Sequence, residues 1–196
     1  MGNRTKGEEE TLRLILDTWI SDVRRIDANL SAVAAALITF AKKNEHFANL
    51  VSLKGVSDLT AARLIAELRD LNDYTHFKQI EKLAGANVRL MDSGKYLGTR
   101  RISKIGNKRL LHLLYLMTSQ VVRFIPELRI KFLKRQLKKR SYRKNVVACI
   151  HWFLKLFMAL TKEKRPYEYR EEAIKEMNKL EAQYTDMKDK QKKTAA

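Results

Sequence analysis

Residues 11–40 read TLRLILDTWISDVRRIDANLSAVAAALITF. Their apolar members Leu12, Leu16, Trp19, Val23, Ile26, Leu30, Val33, Leu37 and Phe40 are separated by steps that alternate four and three, and Asn44 and Phe47 keep the same rhythm. A mean step of 3.5 residues is the repeat of a coiled-coil seam, and it predicts one helix of about forty residues, about 60 Å long at 1.5 Å per residue. Asn44 falls at a seam position, where a polar side chain sets register at a cost in stability. Two readings stand side by side: a seam between two copies of the chain, or one long helix laid on its own domain. The first is favoured, because a chain of 196 residues has little surface with which to cover so long a stripe.

Beyond this helix the chain is long enough for one compact domain, and an apolar content of 45% is enough to build its core. The formal charge of +18 implies an anionic partner, since such self-repulsion weakens a compact state. The charge is concentrated: Lys95 to Lys144 contain sixteen Lys or Arg against the single acid Glu127. One cysteine, Cys149, excludes an intrachain disulfide and a multi-cysteine zinc site, and a reducing compartment, the cytoplasm, is expected. The longest apolar runs, 110–122 and 146–160, are too short to span a bilayer and are interrupted by His112, Gln120, His151 and Lys155, so no membrane partner is expected. The opening MGNRTKGEEE is polar and carries no secretory signal, and Lys6 stands where a myristoylation motif needs Ser or Thr.

Residues 50–68, LVSLKGVSDLTAARLIAEL, read as a short helix, a turn at Gly55 and a second helix, the outline of a helix-hairpin-helix. Turn amides of such a hairpin can hold a DNA phosphate. The usual second glycine is replaced in Gly55-Val56-Ser57, and the alternative is that Ser57 or Asp58 simply caps the following helix. Tyr74, Phe77, Ile80 and Leu83 recur at helical spacing and read as core. Residues 107–125 form an apolar helix with Leu110, Leu114, Met117, Val121 and Ile125 inward, and Pro126 opens the next. Within 134–144 seven of eleven residues are Lys or Arg, namely Lys134, Arg135, Lys138, Lys139, Arg140, Arg143 and Lys144. A solvated helix face normally mixes signs, so this run points to a nucleic-acid backbone. Residues 146–160 read as a buried helix including Cys149, Trp152, Phe153 and Phe157, and the mixed-charge helix after Pro166 could pack on the first. No strand and no internal repeat is evident. The fold class expected is all-α, divided as a coiled-coil helix (1–48), a compact basic domain (49–166) and a C-terminal helix with its tail (167–196).

Between the helices lies GANVRLMDSGKYLGTRRISKIGNKR, residues 85–109. Gly94, Gly98 and Gly106 concentrate backbone freedom here, around Ser93 and the cations Lys95, Arg100, Arg101, Lys104, Lys108 and Arg109. A serine before glycine is ordinarily a turn residue. The motifs SG and RISKIGNKRLL, preceded by LAGANVR and GVSDLTAARLIAEL, resemble in order and spacing the C-terminal transposase domain of the DEDD-type insertion-sequence transposases. That family also includes the Piv-like invertases and the bridge-RNA-guided recombinases. The similarity runs from about residue 50 to 169, and the family likewise places a coiled coil ahead of this domain.

The resemblance implies that Ser93 is the nucleophile that joins covalently to DNA, with the neighbouring cations stabilising charge at the attacked phosphodiester. It also implies DNA as substrate, guide RNA as a partner, and magnesium held by Asp and Glu of a RuvC-like domain. Seven residues ahead of Glu8 leave no room for such a domain, so the chain is expected to be catalytically incomplete alone. No base for Ser93 is visible: Asp92 is adjacent, and adjacent side chains diverge. Other chemistries lack their residues. His112 is followed by Leu113, Leu114 and Tyr115 rather than the HxxR of a tyrosine recombinase, and the basic quarter offers one carboxylate where metal-dependent phosphoryl transfer needs several. His46, His76, His112 and His151 show no metal-site spacing, and no metal site is expected in this chain. The reading from another class is a non-catalytic, dimeric helical module that grips nucleic acid.

Overall fold

The computed structural model describes the backbone of residues 6–89 and 101–195, and the side chains of 7–88 and 102–190. The architecture is all-α. α1 spans Lys6–Ala41, thirty-six residues, close to the length the seam predicts. It ends sooner than the rhythm does. Lys42 to Phe47 turn back through Asn44 N–H to the Ala41 carbonyl and Phe47 N–H to the Asn44 carbonyl, and the Asn44 side chain accepts from His46 N–H at 2.9 Å. Asn44 therefore holds a turn rather than a seam register, and Phe47 is buried at the start of the next helix, α2 (Phe47–Val51).

α3 (Asp58–Leu68) is opened by Ser57, whose hydroxyl accepts from Thr60 N–H while the Thr60 hydroxyl accepts from Ser57 N–H. This is a reciprocal cap that satisfies two otherwise orphaned donors. Gly55, in the turn between α2 and α3, has φ +101°, and a Cβ there would meet the Phe124 ring at 2.9 Å and the Gln120 carbonyl carbon at 3.2 Å. The hairpin turn is thus packed against the end of a later helix. α4 (Phe77–Ala84) is capped by the His76 ring, which accepts from Lys78 N–H, and ends at Gly85 in the left-handed region.

Two residues on each side of residues 90–100 pair as β1 (Val88–Arg89) and β2 (Arg101–Ile102), antiparallel, with Val88 opposite Ile102 and Arg89 opposite Arg101. This short ladder corrects the expectation of no strand, which two residues a side are too few to signal. α5 (Lys108–Val121) begins at Asn107, whose carbonyl accepts from Arg109 and Leu110 N–H and whose amide donates to Glu67 at 2.6 Å. α6 (Pro126–Gln136) starts on proline as expected.

α7 (Tyr142–Glu163) is the central helix, with Cys149, Ile150, Phe153, Leu154 and Phe157 at most 1% exposed among α4, α5 and α6. By length and composition it could cross a bilayer, longer than the run 146–160 suggested, but its apolar residues form the core of this body. Trp152 departs from the buried expectation: it is 38% exposed, with the Lys131 ammonium 4.7 Å from its ring. Leu83 is likewise exposed on α4. α8 (Glu171–Ala195) packs on α6, not on α1, with Arg129 bonded to Glu181 at 2.8 Å and Lys134 to Glu176 at 2.6 Å.

Along α1 only the last turns reach the body: Ala41 is buried, and Leu37 and Ile38 pack against the core beside α3. Leu12, Leu16, Trp19, Val23, Ile26, Leu30, Val33 and Phe40 are exposed.

Candidate nucleic-acid interface

Ser93, Gly94, Lys95, Gly98 and Arg100 lie outside the described residues, as does the side chain of Arg101, whose backbone belongs to β2. The residues on either side of this stretch are described and are tied to the end of α4. Lys104, itself at φ +55°, donates its N–H to the Gly85 carbonyl, and Asn107 N–H donates to the Leu83 carbonyl at 2.7 Å. Gly106 sits between them at φ +149°; a Cβ there would collide with the Leu83 carbonyl oxygen and stand 2.8 Å from Gly85 nitrogen. Its lack of a side chain serves close packing of the returning strand on the end of α4.

Lys104, Lys108 and Arg109 stand together, exposed, at the N-terminal end of α5. Cations there oppose the helix dipole, an arrangement that costs roughly 0.3–1 kcal/mol in isolation and becomes favourable when an anion docks. The same pattern recurs at α7. Arg143 and Lys144 occupy its first turn, Lys138, Lys139 and Arg140 precede it in the turn from α6, and all five are exposed. Ser141 makes no side-chain cap, so the first amides of this helix keep their donors for another molecule.

Two members of the basic run are otherwise engaged. Arg135 Nε donates to Asn145 Oδ1 at 3.2 Å, and buried Asn145 returns its amide to the Arg140 carbonyl, so Arg135 and Asn145 pin the α6–α7 turn. Lys134 is held by Glu176 of α8. Glu127, the lone acid, accepts from the Tyr167 hydroxyl, whose phenol is held far above its ordinary range by burial and by that carboxylate. Burial pushes the Cys149 thiol up to about 11, against a smaller opposite pull from Arg135. The hairpin turn has its own use for its donors: Ser57 and Thr60 N–H are capped reciprocally, and Val56 N–H goes to the Leu53 carbonyl.

Sequence reasoning missed a cluster between α4 and α7. Lys78, Glu81 and Lys82 share one face of α4, and His151 Nδ1 lies 3.3 Å from Glu81 Oε1. The i, i+3, i+4 spacing of the α4 residues was legible, but their meeting with a histidine seventy positions on depends on how α4 and α7 pack.

Residues 47–132 match the model of the family described as Transposase IS116/IS110/IS902 family. The matched segment runs from α2 into α6, includes Ser93, and stops before the basic run. It supports a transposase-type domain over that segment and, at that level, DNA as the molecule acted upon. Among curated proteins none is significantly similar to the chain.

Proposed function

We propose that this chain is the dimerising and strand-joining part of a DEDD-type DNA transposase or recombinase, with Ser93 as nucleophile. The family match across the Ser93 loop carries the reading. The cations gathered at the N-terminal ends of α5 and α7 support it, since both present positive charge to a polyanion and α7 adds uncapped amides. In the proposed step Ser93 Oγ forms a bond to phosphorus and one P–O bond to a flanking sugar breaks. The serine proton passes to a base, and the departing sugar oxygen takes up a proton. Lys95, Arg100 and Arg101 on the loop, with Lys104, Lys108 and Arg109 beyond it, would offset the charge gathered in the transition state.

The described residues bring together no three carboxylate, imidazole or thiol groups that could hold a metal ion, and Glu127 is bonded to Tyr167. Magnesium would be held by the RuvC-like domain that the resemblance implies. Guide RNA would share the same basic surface as DNA. The exposed seam of α1 is proposed to pair with a second copy.

The test of the nucleophile is covalent capture. DNA should remain linked to the protein after denaturation when the chain is combined with a RuvC-like domain, and Ser93→Ala should abolish the link. Linkage that survives Ser93→Ala removes the assignment; no linkage from either protein, with binding intact, leaves the non-catalytic gripping module. For the binding surface, each phosphate neutralised adds about 0.9 to the log–log salt slope on duplex DNA. Replacing Lys138, Lys139 and Arg140 by Gln should lower that slope by up to about 2.7. Arg135→Gln should leave it nearly unchanged and reduce stability instead, because Arg135 is tied to Asn145.

A further inference from the structure

A cleft of about 380 Å³ opens between α4, the residues leading into β1, and α7, lined by Lys78, Glu81, Lys82, Asn87, Val88 and His151. Its charged groups are differently disposed from those of an ordinary solvated helix face. Lys78 and Lys82 are exposed and make no ion pair with another described residue. The one carboxylate is turned away from them: Glu81, with only 12% of its side chain exposed, places both oxygens 3.3–3.4 Å from His151 Nδ1. A carboxylate only accepts, so Nδ1 carries the proton and Nε2 is left on the other edge of the ring. The ring is fixed further by Phe77, edge-on at 4.9 Å, and by Trp152 at 5.4 Å. Asn87 adds an amide, and exposed Val88 an apolar wall against which a sugar can lie.

We propose that this cleft is a further nucleic-acid contact, taking one or two backbone phosphates between Lys78, Lys82 and His151, with Glu81 as the residue that positions the imidazole. The two lysines supply charge. The His151 ring, fixed through Nδ1 by Glu81, leaves its Nε2 edge for the bound strand. The cleft is built from residues other than the heads of α5 and α7, so it extends the track of a strand along the body. The inference rests on the reading that the chain grips nucleic acid.

The experiment uses the full chain and a labelled DNA duplex of mixed sequence, with affinity measured across a salt series. Lys78→Gln with Lys82→Gln should lower the log–log slope by about 0.9–1.8. A control pair on α8, Lys175→Gln with Lys179→Gln, removes equal charge and should leave it unchanged. In a carbon–proton spectrum the His151 ring signal, identified by its loss in His151→Gln, should shift when the duplex is added. It should shift less in Glu81→Gln.

An unchanged slope in the cleft pair, while the Lys138–Arg140 substitutions lower it, overturns the cleft and leaves the gripping surface standing. An equal drop in the control pair overturns it too, by showing a general effect of charge, and so does a stationary His151 signal. Salt-independent binding by the unaltered chain overturns both the cleft and the reading beneath it.

Discussion

Gly106 shows how a residue singled out for one reason can be required for another. As sequence, it belongs to a flexible run beside Ser93; as structure, it is the point where β2 returns to the end of α4 with no room for a methyl group. Gly106→Ala combines a positive φ with a backbone collision, so a loss of about 2–4 kcal/mol is expected, read as a fall in the denaturant midpoint. Cys149 offers a second test. Its thiol is raised by burial to about 11 from an ordinary value near 9, so the folded state holds its proton more tightly than the unfolded chain does. That contribution is complete below about pH 9 and is lost as pH rises towards 11. Unfolding followed across pH 8–11 should show stability falling, and the fall should be shallower in Cys149→Ala. Tyr167 shifts in the same direction, so part of the slope should persist.

At the scale of elements, much of the fold was legible, and the departures have definite causes. The inward stripe of α5, Leu110, Leu114, Met117 and Val121, is at most 1% exposed as its 3.6-residue spacing requires, whereas Ile125, expected in the same helix, is buried beyond its end as the residue before α6. The end of α1 was not legible, because Phe47 continues the rhythm of the seam although it belongs to α2. Trp152 reads as core in the sequence because composition cannot tell which side of a central helix meets water, and the cleft beside it exists only through the packing of α4 on α7. The site is legible to a lesser degree. Charge density identified the basic run, but only the structure separates Lys138, Lys139 and Arg140, which are free to meet a phosphate, from Arg135 and Lys134, which are bonded within the fold.

α8 is the element whose placement sequence left open, and it covers part of that basic helix. Its half-buried Ile174, Met177, Leu180 and Tyr184 repeat at helical spacing, and its acids Glu176 and Glu181 meet Lys134 and Arg129. Such partly exposed pairs contribute about 0–1 kcal/mol each, so Glu176→Gln with Glu181→Gln should change stability little. The same substitutions release two cations. Tighter DNA binding at low salt and a steeper salt slope are expected, and an unchanged slope would show that this side of α6 stays clear of the strand.

For the whole molecule the chief observation is an imbalance between a packed body and a bare helix. Eight large apolar residues of the α1 seam are open to solvent. Monomeric proteins rarely expose so continuous an apolar stripe. Val23→Glu with Leu30→Glu places like charges in the proposed seam and should convert a dimer to a monomer in sedimentation, with helix content reduced by partial melting of α1. Sedimentation of the unaltered chain as a monomer at micromolar concentration would assign the seam to another occupant.

Because α1 joins the body only through its last turns, its free portion of about thirty residues would act as a ruler about 45 Å long. Partners aligned in the same direction would hold their two bodies side by side, whereas partners running head to tail would hold them a ruler's length apart. Deleting one heptad would shorten that gauge by about 10 Å and keep its phase, while deleting five residues would rotate the stripe out of phase. In the proposed pairing, the separation of the two bodies would then be written in the number of heptads ahead of Leu37.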